Sequence, residues 1–145
     1  MTVSITRREE LPDLPFRRYR KLPNPVTAVQ LTALEDVSNP FAVGSYHGKP
    51  GDWRIVYGTR PDGSIDTAIC DGDIFARTYE HLDGDQYRKK ATVVIEASQL
   101  DTPLDIVTLE GPSHGEPGDW LLLGIDGEPY FNSDAFFTAN YLPAE

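Results

Sequence analysis

The chain has 145 residues, 13 Lys and Arg against 23 Asp and Glu, a formal net charge of −10, and 39% hydrophobic and 10% aromatic residues. That length allows one ordinary domain or two very small ones, and the composition is that of a folded globular protein. No apolar run reaches about 18 residues, which excludes a transmembrane helix. Met1 to Arg8 lacks the apolar stretch of a secretory signal, and the lone Cys70 excludes an intramolecular disulfide, so a reducing, cytoplasmic setting is expected.

Residues 1–18 read as an arm, basic through Arg7, Arg8, Arg17 and Arg18, with Pro12 and Pro15 blocking a continuous helix. Tyr19-Arg20-Lys21 follows, then a strand over Val26–Leu31. Thr32–Val37 predicts a short helix with Thr32 as cap and Glu35 three residues on, stopped by Asn39-Pro40. Phe41–Tyr46 reads as a strand, a Pro-Gly turn leads into Trp53–Tyr57, and the turn Pro61-Asp62-Gly63 returns the chain along Ser64–Cys70. A helix capped by Asp71 closes this stretch, with Phe75 and Tyr79 four apart on one face.

The same order then recurs. Tyr87-Arg88-Lys89 precedes a β-branched strand, Thr92–Ala97, and then come strand Asp105–Leu109, strand Trp120–Leu123, the hairpin turn Asp126-Gly127, strand Glu128–Phe131, and a helix capped by Asn132 with Phe137 and Tyr141 on one face. His47–Trp53 and His114–Trp120 share His-Gly-x-Pro-Gly-Asp-Trp, identical at six of seven positions and 67 residues apart. Ordered self-similarity of this kind predicts one unit used twice. The expected fold is strand-rich α+β: an arm (1–18), one repeat over 19–83 and a second over 84–145. Each repeat is a strand, a three-stranded meander and a short C-terminal helix, and the two are packed as one pseudo-symmetric unit because neither has the size for a secure core of its own.

Tyr-Arg-Lys-Lys, then Val-Val-Ile-Glu-Ala-x-Gln (Tyr87–Gln99), Pro117-Gly118-Asp119-Trp120, Gly124, Gly127, Tyr130, Asp134, Phe136 and Tyr141 together resemble small phage and prophage proteins with a Pro-Gly-Asp-Tyr/Trp motif, the PGDYG-like family. The resemblance spans residues 19–142. It implies a phage or mobile-element origin and no particular activity. Members usually carry one copy, so the tandem departs from the pattern, as do the two His-Gly pairs.

Pro-Gly-Asp-Trp has a structural explanation: Pro presets φ, Gly permits positive φ, Asp caps the turn and Trp buries apolar area. His47 and His114 each precede an aspartate, Asp52 and Asp119, by five residues across that turn, a spacing that suits either a carboxylate-oriented imidazole or simple packing. Neither His81 nor Cys70 completes a metal-ligand spacing, and no phosphate-cradling glycine loop occurs, so no metal or cofactor is expected. The Tyr-Arg-Lys clusters suit either edge-strand protection or capture of an anion beside an aromatic ring.

No Lys or Arg follows Lys90, whereas residues 91–145 carry ten Asp and Glu, which argues against direct nucleic-acid binding. The leading expectation is a non-enzymatic binding module, monomer or homodimer, for a protein partner or a small anionic ligand, with His47, Trp53, His114, Trp120, Arg20 and Arg88 as contacts. One alternative is a small hydrolase or lyase using His47–Asp52 and His114–Asp119 as acid–base pairs. Another is an acidic decoy for a nucleic-acid-binding host protein.

Overall fold

A computed structural model describes residues 11–59, 63 and 65–144. The chain is strand-rich α+β, as expected: fourteen strands and two seven-residue helices among the described residues. The first five-stranded sheet has the order β6-β5-β2-β8-β7, formed by β2 (Val26–Gln30), β5 (Trp53–Thr59), β6 (Ile65–Cys70), β7 (Tyr79–Asp83) and β8 (Gln86–Lys89). The second has the order β13-β12-β9-β1-β14, formed by β1 (Arg17–Lys21), β9 (Val94–Gln99), β12 (Trp120–Leu123), β13 (Pro129–Asn132) and β14 (Tyr141–Pro143). All pairings are antiparallel. Helix α1 (Gly72–Thr78) joins β6 to β7, and α2 (Asp134–Asn140) joins β13 to β14.

The placement of two strands was not expected. β1 precedes β2 in the chain but lies in the second sheet, between β9 and β14; β8 precedes β9 but lies in the first sheet, between β2 and β7. Each Tyr-Arg-Lys strand therefore serves the sheet built from the other part of the chain. Both strands are internal, so protection of a sheet edge does not account for their basic residues.

Alternation explains why they fit. On β1, Tyr19 and Lys21 point inward and Arg20 outward; on β8, Tyr87 and Lys89 lie on one side and Arg88 on the other. Tyr19 meets Trp120 and Phe137 edge-on, at ring-centroid distances of 5.8 and 4.9 Å. Those two rings stack at 3.9 Å, and Phe137 stacks on Tyr141 at 4.8 Å. In the first sheet Trp53, Phe75 and Tyr79 form a similar column at 4.1 and 4.6 Å, with Tyr87 edge-on to Trp53 and Phe75 at 5.2 Å each. Such ring pairs add about 0.5–1.5 kcal/mol each beyond their burial. The two tryptophans are thus the ends of structural columns. The expected contacts Phe75–Tyr79 and Phe137–Tyr141 are both made, although each Tyr is the extended residue that ends its helix.

Several local expectations are corrected. Thr32–Val37 holds no helix: β3 (Glu35–Val37) pairs with β4 (Tyr46–Gly48) in a separate two-stranded ribbon. Alternation in the ribbon buries Val37, sets Asp36 outward opposite His47, and lets Glu35 accept from Arg54 at 2.6 and 2.8 Å. The meander is likewise absent, because β4 leaves the sheet and β2 takes the place beside β5. In the later part β10 (Leu104–Thr108) and β11 (Gly111–Gly115) form the second ribbon. Ser133, not Asn132, caps α2, its hydroxyl accepting from Phe136 N at 3.2 Å; Asp71 caps α1 as expected. Of the arm, Leu11, Leu14 and Phe16 lie against the Leu100, Ile106, Leu121 and Phe131 cluster, and Arg17 and Arg18 belong to β1. Arg7, Arg8, Pro61, Asp62 and Ser64 lie outside the described residues.

The two ribbons join each other. His47 N donates to Glu110 O at 2.9 Å, His114 N to Phe41 O at 2.8 Å, and the Tyr46 hydroxyl and Ser113 Oγ lie 2.6 Å apart in a buried contact. Ser113 Oγ also donates to Phe41 O at 3.1 Å, which leaves the Tyr46 hydroxyl as the donor of that pair.

Strand sharing makes the two sheets one cooperative unit. Ile55 is 1% exposed, so Ile55→Ala should cost about 2–5 kcal/mol. Measured by urea unfolding in separate Trp53→Phe and Trp120→Phe backgrounds, the loss should appear equally at the remaining tryptophan of either sheet. Two separated transitions would contradict a shared core.

Candidate functional site

The Pro-Gly-Asp-Trp motif is accounted for by its turn. Gly51 and Gly118 have φ of 95° and 97°, the positive values expected of them. Asp52 Oδ2 accepts from Lys49 N at 3.1 Å, and Asp119 Oδ2 from Glu116 N at 2.9 Å. The preceding glycines allow close approach: a Cβ on Gly48 would stand 2.5 Å from Leu31 Cδ1, and one on Gly115 would stand 2.8 Å from Phe131 Cε1.

These roles correct the expected His–Asp pairs. The carboxylate that meets His47 is Asp36, directly opposite on β3 and 2.6 Å from Nδ1; the one that meets His114 is Asp105, directly opposite on β10 at 2.5 Å. Asp52 and Asp119 are bound to turn backbone instead, and Asp52 also to Lys49 Nζ at 3.1 Å. His114 carries Glu116 on its second nitrogen at 2.6 Å, and these hydrogen bonds, Asp105 first, hold its pKa above the ordinary histidine value. An imidazolium clamped through both nitrogens has no lone pair with which to act as a base. His47 is exposed on its ribbon.

Nor do the six expected ligand contacts converge. Arg20 faces outward, and Arg88 is exposed and donates to Glu80 at 2.5 Å. Trp53 and Trp120 are held in their columns, and Trp120 Nε1 also donates to Asp134 Oδ1 at 2.9 Å. The carboxylates after residue 90 are similarly divided: Asp105 and Glu116 on His114, Asp126 on Arg77, Asp119 in its turn, while Glu110 and Glu128, with Glu116 and Asp119, line a cavity.

That cavity, about 520 Å³, lies between the two sheets. Of the six expected contacts only His114 reaches it. Its walls carry the inward positions of both sheets, among them Ile55, Tyr57 and Tyr79 from the first and Ile95, Tyr130 and Tyr141 from the second. Tyr57 reaches across to Phe136 of α2 at 5.1 Å. Burial drives the Tyr57, Tyr79 and Tyr130 hydroxyls well above the ordinary phenol range, so they stay protonated and able to donate. Cys70 is pushed up to about 12, chiefly by burial, and remains a thiol, not a nucleophile.

Besides His114, the basic side chains that line the cavity are the lysines of the two Tyr-Arg-Lys motifs. Lys21 Nζ lies 5.9 Å from the centroid of the Tyr141 ring, and Lys89 Nζ 5.2 Å from that of Tyr79. Neither has a carboxylate within ion-pairing distance among the described residues; Lys21 donates to Asn140 Oδ1 at 3.3 Å and to Leu22 O at 3.4 Å. Lys21 is 5% exposed, and its pKa falls to about 8, first through burial and then through the charge of Lys89. Sequence reasoning singled out both motifs but chose their arginines. Strand alternation would have selected the lysines, since Tyr and Lys two apart share a face. No metal-binding group of three or more His, Cys, Asp or Glu occurs among the described residues, and no helix there is long and apolar enough to cross a membrane.

Comparison with protein-family models, with curated proteins and with solved structures gives no match.

The lowered Lys21 pKa sets a pH dependence. Between about 8 and 10.5 the unfolded chain binds the proton that the folded chain has released, so stability rises with pH across that window; below it the full cost of the buried charge is present. Lys21→Met should therefore raise unfolding free energy by about 1–3 kcal/mol at pH 7. The gain should shrink towards zero at pH 10.5, as read from paired urea denaturation curves of variant and native protein.

Proposed function

We propose that this protein is a non-enzymatic binding module that holds a small anionic ligand in the cavity between its two sheets. The observation that carries the reading is the pair of lysines that line it, Lys21 and Lys89: neither forms an ion pair among the described residues, and Lys21 is buried. Charged groups kept unpaired in a concave, largely apolar site point to function. An anion between Lys21 and Lys89 would supply the missing countercharge, with tyrosine hydroxyls as additional donors.

We further propose that residues 19–83 and 84–145 are two copies of one unit. The identical strand order of the sheets supports this, as do the matched tryptophan columns, the paired Pro-Gly-Asp turns, and the equivalent positions of Lys21 beside Tyr141 and Lys89 beside Tyr79. The phage-like sequence pattern suggests a mobile-element origin. A hydrolase or lyase is less well supported, since neither histidine meets its expected aspartate. An acidic decoy is less well supported because many of the carboxylates concerned are engaged in hydrogen bonds or line the cavity.

Isothermal titration with hexanoate and benzoate, set against hexanamide and benzamide, tests the reading. The carboxylates should bind and the amides should bind at least about tenfold more weakly, the scale of one charge-assisted hydrogen bond. Lys21→Met and Lys89→Met should abolish that preference, while Arg20→Ala and Arg88→Ala leave it intact. Equal binding of acids and amides, or loss of the preference in the arginine variants, would overturn the proposal.

A further inference from the structure

We infer that two copies of this chain form a homodimer by exchanging residues 11–21, each segment taking in the other copy the place it holds in its own. The inference stands apart from the question of what the cavity binds.

Residues 11–21 are tethered to one sheet and docked on the other. β1 lies between β9 and β14, with Tyr19 opposite Ile95 on one side and Pro143 on the other. The Tyr19 ring meets Trp120 and Phe137, and Leu11, Leu14 and Phe16 pack against Leu100, Ile106, Leu121 and Phe131. These docking partners all lie within residues 94–143. The covalent connection runs the other way, through residues 22–25, into β2 of the first sheet. A second copy offers the same partners in the same register, so exchange loses none of these contacts. The connection and the protein concentration then decide between monomer and dimer.

The connection favours opening. It reads Leu22-Pro23-Asn24-Pro25. Each proline fixes its own φ and steers the residue before it towards extended backbone, so two such units in a row prefer a straight connector. The structure bends it instead. Asn24 N donates to Leu22 O at 2.8 Å, closing a γ-turn about Pro23, and Asn24 Nδ2 donates to Asn140 Oδ1 at 3.0 Å on the surface. Lys21 Nζ also donates to Asn140 Oδ1, at 3.3 Å, and Leu22 N to Asn140 O at 2.7 Å. Those last two bonds belong to the docked strand, and Asn140 of a second copy would accept them equally. Only the two Asn24 bonds are particular to the bend, and water replaces them when the connector straightens. The other crossing between the sheets differs. Residues 90–93 are Lys-Ala-Thr-Val, without proline, and they turn through a bond from Val93 N to Lys90 O at 3.1 Å. Exchange is therefore assigned to the first crossing. In the dimer each cavity would hold Lys89 of one copy and Lys21 of the other.

The test uses the full chain carrying Cys70→Ala, Arg20→Cys and Leu142→Cys. Arg20 and Leu142 stand directly opposite each other on β1 and β14, a spacing within reach of a disulfide. Gel filtration after refolding should show a dimer whose share rises with protein concentration. Once oxidised, the dimer fraction should run as a covalent dimer on a non-reducing denaturing gel, while the monomer fraction closes its disulfide within one chain. Asn24→Ala removes a bond from both bends and should raise the association constant about tenfold. Replacing Pro23 and Pro25 together by Ala should lower it. As a variant independent of the cysteines, deleting residues 23 and 24 leaves too short a connector to bend and should give dimer alone. A dimer whose disulfides close only within single chains refutes the exchange. So does a chain that stays monomeric at every concentration with Asn24→Ala, or a monomer from the deletion variant.

Discussion

Everything in this molecule hangs on the insertion of one tyrosine ring, edge-on, against a stacked tryptophan and phenylalanine whose strand and helix come from elsewhere in the chain. Tyr19 does this for the column of Trp120, Phe137 and Tyr141, and Tyr87 for that of Trp53 and Phe75. Each contact locks its strand between two antiparallel neighbours, completing a five-stranded sheet. Without the ring, the strand offers that sheet little besides one flanking inward lysine, a poor reason to bury backbone. With it, apolar area and ring geometry outweigh the cost of ordering the segment.

The same insertion creates the cavity's chemistry. Because strand side chains alternate, fixing the tyrosine inward forces the residue two positions on to the same side. Lys21 and Lys89 therefore enter the space between the sheets, each beside a tyrosine that belongs to an aromatic column. Fold and site are not separable here: the residue that secures the strand and the residue that gives the cavity its charge are neighbours on one face of one short segment. The arginines between them are turned to solvent by the same geometry, where Arg88 meets Glu80.

The sequence made some of this legible. The Pro-Gly-Asp turn, the Asp71 cap and the aromatic spacing of both helices follow from local chemistry, and local chemistry settles them in the structure as well. The partners of the histidines were not legible, because cross-strand register decides them: Asp36 and Asp105 stand opposite His47 and His114 on strands eleven and nine residues earlier in the chain. The aspartates five residues away already had a turn to cap. Strand exchange was hidden for a similar reason, since Tyr-Arg-Lys reads identically whichever sheet it joins. Glu110 carried no signal at all, as its environment is assembled from Asp52, Asp71 and Glu128, which are distant in sequence.

The pairing of β1 with β14 also orders events in time. All five strands of the first sheet lie within residues 26–89, so it has its full complement before any later strand of the second sheet is made. Residues 17–21 leave the ribosome before any of them, yet their two neighbours are residues 94–99 and 141–143. During synthesis this strand must wait, its tyrosine uncovered, until residues 141–143 emerge. The most protracted risk of misassembly therefore sits at residues 17–21, where a foreign strand edge would find a partner before the native one exists.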